Sequence, residues 1–114
     1  MVSSHPTRIA GFLVFLLVSA PVFSASPQLE EAVSLLHRIH LDQCQRHQLR
    51  GQVMVAHREH DKKRLNALFP ELDAITRKLK ADESHLSALR DQLSGNASDQ
   101  NAFESVMLEL GQCD

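Results

Sequence analysis

LNALFPELDAITRKLKADESHLSALRDQL, residues 65–93, decides the fold. Its apolar positions are Leu65, Leu68, Leu72, Ile75, Leu79, Leu86, Leu89 and Leu93, with Asp82 in the slot between Leu79 and Leu86. The steps alternate three and four. On a helix of 3.6 residues per turn that spacing draws one unbroken stripe, a heptad seam of about four repeats. Pro70 falls on the outer face, where it kinks or breaks the helix without removing a seam residue.

Working toward the N-terminus, His57 to Arg64 are eight residues without an apolar one. A turn is expected near residues 58–61, with Asp61 capping the seam helix. Before it, Leu29, Ala32, Leu36 and Ile39 form a second stripe flanked by Val33 and Leu35, and helical character continues through Val53, Met54 and Ala56. Ser26 is placed to cap this helix, Pro27 to open it, and Glu30 and Glu31 lie in the first turn, where the dipole favours acid. On the other side of the seam, residues 94–98 read as a loop. Ser98 or Asp99 is expected to cap a short last helix with the stripe Phe103, Val106, Met107 and Leu110, stopped by Gly111. Few aromatic or β-branched residues argue against strands. The fold class expected is therefore all-α: a long antiparallel helical hairpin plus a short third helix.

The two cysteines fix how the third helix docks. If the hairpin turns near residue 60, the last helix starts level with about residue 30 and runs parallel to the first. Cys113 is fourteen residues beyond Asp99, and Cys44 is fourteen beyond Glu30. Equal rise per residue brings the two sulfurs to one level, so a Cys44–Cys113 disulfide is expected to clamp the fold. It closes a loop of about 70 residues, worth about 4 kcal/mol in chain entropy.

A third helix of that length covers half of the hairpin and leaves residues 46–76 projecting as an arm. The charge is uneven along the chain. Residues 38–64 hold seven Lys/Arg against three acids, or +4; residues 71–114 hold four against nine, or −5. Arg46, Arg50, Arg58, Lys62, Lys63 and Arg64 make the arm basic. Leu65, Leu68, Phe69 and Leu72, beyond the reach of the third helix, are expected to lie partly uncovered. These ten residues form the candidate partner-binding surface, for another protein or a second copy.

Residues 1–24 read as a secretory signal peptide: Arg8, an apolar run from Ile9 to Val18, helix-breaking Pro21, and cleavage after Ser24. The run is short of the ~20 residues of a spanning helix, so no stable membrane span is expected once it is removed. Residues 25–114 then form a single helical domain in the periplasm or outside the cell, where cysteines pair. Export argues against nucleic acid as the target of the basic run, and no aromatic platform for stacking bases is present.

His37, His40, Cys44 and His47 step by three, four and three along one helix face. Imidazoles at that spacing suggest a transition-metal site at His37, His40 and His47, with Cys44 withdrawn if it is oxidised. No other cofactor chemistry is suggested. There is no glycine-rich phosphate loop, haem-attachment motif or free nucleophilic cysteine, so no enzyme is expected. The function expected is that of a non-enzymatic periplasmic accessory or binding protein, acting through its basic helical arm on another envelope protein. The alternatives are a metal-binding or metal-sensing protein and a holdase-type stress chaperone.

Overall fold

The computed structural model describes residues 25–113. The expected signal peptide, residues 1–24, lies outside the described residues. Three helices follow in order: α1 (Pro27–Arg58), α2 (Lys62–Leu93) and α3 (Ala97–Leu110). No strand occurs among the described residues.

Each helix starts on a side-chain cap. Ser26 Oγ accepts from Leu29 N–H at 3.1 Å with Pro27 opening the first turn, and Asp61 Oδ1 accepts from Arg64 N–H at 3.0 Å. The third cap differs from expectation. Asn96, in extended backbone, accepts from Asp99 N–H at 3.1 Å, so the helix begins two residues ahead of Asp99. Asp99 thereby falls in the first turn, where its charge favours the dipole. Its carboxylate accepts from Ser26 Oγ at 2.7 Å and ties the start of α3 to the start of α1.

The turn between α1 and α2 is a Schellman closure without glycine. Asp61 N–H donates to Ala56 C=O at 2.9 Å and His60 N–H to His57 C=O at 3.1 Å. His60 takes the left-handed conformation this demands, with φ 56°. At the other end of the chain Gly111, at φ 65° and ψ −150°, stops α3 in a backbone conformation open to glycine.

α1 and α2 pack closely as an antiparallel hairpin. Its register is fixed by ion pairs. Arg38 and Asp82 each stand 22 residues from residue 60, and Asp42 and Lys78 each stand 18 from it. The slot in the α2 seam is thereby explained: Asp82 receives Arg38 Nε at 3.2 Å and Nη2 at 3.0 Å. Asp42 is buried, and its Oδ2 receives no hydrogen bond of good geometry. It is compensated by the ionic contact of Lys78 Nζ at 2.9 Å. A buried carboxylate requires such a partner.

The apolar stripes close on each other around this polar girdle. Leu29, Ala32, Leu35, Leu36, Ile39, Leu49 and Ala56 of α1 meet Leu68, Ile75, Leu79, Leu89 and Leu93 of α2, with Phe103 of α3 completing the core. Leu79 is the largest side chain wholly removed from water. α2 runs through Pro70 without interruption. The amide hydrogen bond that Pro70 lacks would have reached Asn66, and both residues are exposed.

α3 is held at both ends and in the middle. Ser26 holds its start, Arg90 lies 5.3 Å from the centre of the Phe103 ring, and Cys113 is bonded to Cys44 with their Cα atoms 5.1 Å apart. Since Asp99 meets Ser26 and Cys113 meets Cys44, α3 runs parallel to α1, as the level of the two cysteines implied.

Candidate functional site

The hairpin tip carries the candidate surface. Arg50, Arg58, Lys62, Lys63 and Arg64 are exposed and Arg46 is half-buried. Their environment sets them apart from the cations of the other half, Lys80 excepted, which is exposed and, like them, has no ion pair among the described residues. Arg38, Arg77 and Lys78 each hold a carboxylate within 3.0 Å, and Arg90 stands over Phe103. Among the described residues, no carboxylate forms an ion pair with any of the six cations of the arm. Of the two acids next to them in sequence, Asp61 is engaged as the α2 cap and Glu59 is exposed without an ion pair among the described residues. The tip therefore presents a net positive charge that no ion pair ties down, while residues 71–114 are net acidic.

The apolar part of the surface is narrower than expected. Leu65 and Leu72 are half-buried and Phe69 is 50% exposed, but Leu68 is only 6% exposed. Leu68 faces α1, which covers it without help from α3. Leu68 is thus ordinary hairpin core, whereas Leu65 and Leu72 stay partly uncovered and Phe69 is the most exposed of the four. Sequence reasoning passed over Met54 and Val55, which are 63% and 38% exposed in the same section of the hairpin. They lie off the α1 stripe, which passes through Leu49 and Ala56.

The histidines do not assemble as a set. α1 rises about 15 Å over the ten residues from His37 to His47, so one ion cannot take both. Both are exposed. His40 differs from them: it is half-buried, with Nε2 3.8 Å from Cys44 Sγ. Among the described residues, the one convergence of three metal-capable side chains is His40, Cys44 and Cys113, whose ligand atoms all lie within 4.8 Å of one another. Beside it opens a cleft of about 280 Å³ whose lining includes His40, Gln43, Glu83, Met107 and Gly111.

The class defined by this architecture is a disulfide-clamped three-helix protein with an unpaired basic tip. No protein-family model matches the chain, and no curated protein or solved structure matches it significantly. Among the described residues, no helix is long and apolar enough to cross a membrane, and the disulfide fits an oxidising compartment.

Proposed function

We propose that the chain is a non-enzymatic binding protein of the periplasm or cell exterior, and that it docks its basic hairpin tip on an acidic face of another envelope protein. The observation that carries this reading is the contrast in pairing: among the described residues none of Arg46, Arg50, Arg58, Lys62, Lys63 and Arg64 has a carboxylate partner, whereas three of the five cations elsewhere, Arg38, Arg77 and Lys78, have one, and Lys80 is the single cation there without a charged or aromatic partner. Met54, Val55 and Phe69 add apolar area in the same section, and apolar anchors beside a charged rim suit a protein partner. The long two-helix arm, clamped at its base by Cys44–Cys113, holds the tip away from α3.

A second copy of the chain is the competing occupant, because residues 71–114 carry the complementary charge. Affinity purification from the native envelope separates the two. The mature chain and a Lys62→Glu/Lys63→Glu/Arg64→Glu variant are compared at low and physiological salt. The expected result is an acidic partner retained by the wild-type chain, weakened by salt as exposed charges are screened over about 8–10 Å, and lost from the variant. Recovery of the chain alone as a dimer would favour self-association, and a partner retained equally by the variant would remove the tip from the function.

A further inference from the structure

The Cys44–Cys113 bridge has a histidine beside it that a mechanical clamp does not require. His40 and Cys44 are four residues apart on α1, so they lie one turn apart on the same face. Gly111 ends α3 and lets the chain bring Cys113 to the same point. The three side chains are half-buried, and their ligand atoms lie within 4.8 Å of one another. At tetrahedral angles, Zn–S and Zn–N bonds of 2.3 and 2.0–2.1 Å put neighbouring ligand atoms about 3.5–3.8 Å apart. The 3.8 Å between His40 Nε2 and Cys44 Sγ is within about 0.3 Å of the N···S spacing. The two sulfurs, joined in the disulfide, stand too close, and Cys113 Sγ lies within 4.8 Å of the ligand nitrogen of His40.

We propose that reduction of the Cys44–Cys113 disulfide creates a binding site for a thiophilic transition-metal ion of the zinc type, held by Cys44 Sγ, Cys113 Sγ and His40 Nε2. Reduction proceeds by thiol–disulfide exchange with a dithiol reductant. One reductant thiolate attacks a protein sulfur and breaks the S–S bond, giving a mixed disulfide. The reductant's second thiol displaces the protein sulfur, leaving two protein thiols and an oxidised reductant. Two electrons and two protons have passed to the protein. Metal binding then releases both thiol protons, because only the thiolates are ligands, while His40 donates the lone pair of neutral Nε2.

Separating the sulfurs from bonded contact to ligand spacing requires a movement of less than 2 Å, within reach of the residues after Gly111. Three protein ligands leave the fourth tetrahedral position to water or a small ligand, for which the adjoining cleft has room. The ion would join α1 to the end of α3 at the point where the disulfide joins them. The two states thus exchange one clamp for another: a covalent bridge under oxidising conditions, and a metal bridge under reducing ones. This inference is independent of the docking proposed for the tip.

Cobalt titration of the mature chain tests it, with Co²⁺ as the spectroscopic probe for zinc. The chain is reduced with a phosphine under argon. The expected result is one Co²⁺ per chain, with thiolate-to-cobalt charge-transfer absorption and the d–d bands of a tetrahedral site, both abolished by added Zn²⁺. The oxidised chain should show neither. His40→Ala and the bulk-conserving His40→Gln should weaken binding by more than the roughly 10–100-fold that loss of an outer-shell partner costs, whereas His37→Ala and His47→Ala should leave it unchanged. Far-UV circular dichroism accompanies each titration, and any helicity lost on reduction should return with Zn²⁺ in the wild-type chain. The proposal is overturned by a reduced chain that shows no charge-transfer band, by unchanged affinity in both His40 variants, or by lost helicity that zinc does not restore.

Discussion

Replacing both Cys44 and Cys113 by serine removes the closure of a loop whose ends are 69 residues apart. In the chain-entropy treatment that loop is worth about 4 kcal/mol. A folded unit of this size is stable by roughly 4–13 kcal/mol at 0.05–0.15 kcal/mol per residue, so the substitution removes between a third and all of the total. The damage should concentrate in α3. At 14 residues it sits near the limit of ~12–15 for an autonomous helix, and Phe103 is its one fully buried side chain. What would still hold it is the Ser26–Asp99 hydrogen bond and the Arg90–Phe103 contact. Urea denaturation followed by circular dichroism is the assay, with native-state hydrogen exchange to locate the loss. The expected outcome is a destabilisation of about 3–4 kcal/mol, a steeper transition because the unlinked denatured chain exposes more surface, and early loss of amide protection between residues 97 and 110. A destabilisation below about 1 kcal/mol with α3 protection unchanged would refute the reasoning, showing that α3 is held by its packing alone.

Three further outcomes are expected. Gly51 lies within α1 with nothing within 4 Å of where a Cβ would stand; Gly51→Ala should therefore stabilise the chain by about 0.5–1 kcal/mol in the same urea titration. Leu79→Ala empties the most enclosed position of the hairpin and should cost on the order of 2–5 kcal/mol in thermal or chemical unfolding. Leu68→Glu and Phe69→Glu should separate folding from association. The first puts a carboxylate into the core and should lower the melting temperature sharply; the second alters a half-exposed ring, should change stability little, and should weaken retention of the partner.

The architecture was largely written in two periodicities and two cysteines. The three-four stripe of α2, the polar run before it and the equal spacing of Asp99–Cys113 and Glu30–Cys44 together imply the hairpin, its turn and its clamp. What stayed hidden was local competition. Asn96 took the third cap: in extended backbone it accepts from Asp99 N–H, which starts the helix upstream of Ser98 and Asp99. The turn at His60 carries no glycine, so the left-handed residue that closes α1 had no compositional marker. Leu68 was read as uncovered because the third helix stops short of it, yet the facing helix alone suffices to bury it. For the candidate surfaces, charge segregation was visible in the sequence, but the absence of ion pairs at the tip depends on three-dimensional pairing elsewhere. The proximity of His40 to both sulfurs was half legible: its spacing from Cys44 is sequential, while that from Cys113 depends on how α3 ends.

The docking role of the tip is tested most directly by site-specific photocrosslinking in the native envelope. A photoreactive amino acid is placed at Met54, at Val55, or at Gln92 near the far end of the hairpin, each in the otherwise wild-type mature chain. The expected result is an acidic protein crosslinked from positions 54 and 55 and not from 92, with the crosslink lost at high salt and in the Lys62→Glu/Lys63→Glu/Arg64→Glu background. Crosslinks confined to position 92, or crosslinks from the tip that survive both high salt and charge reversal, would contradict it.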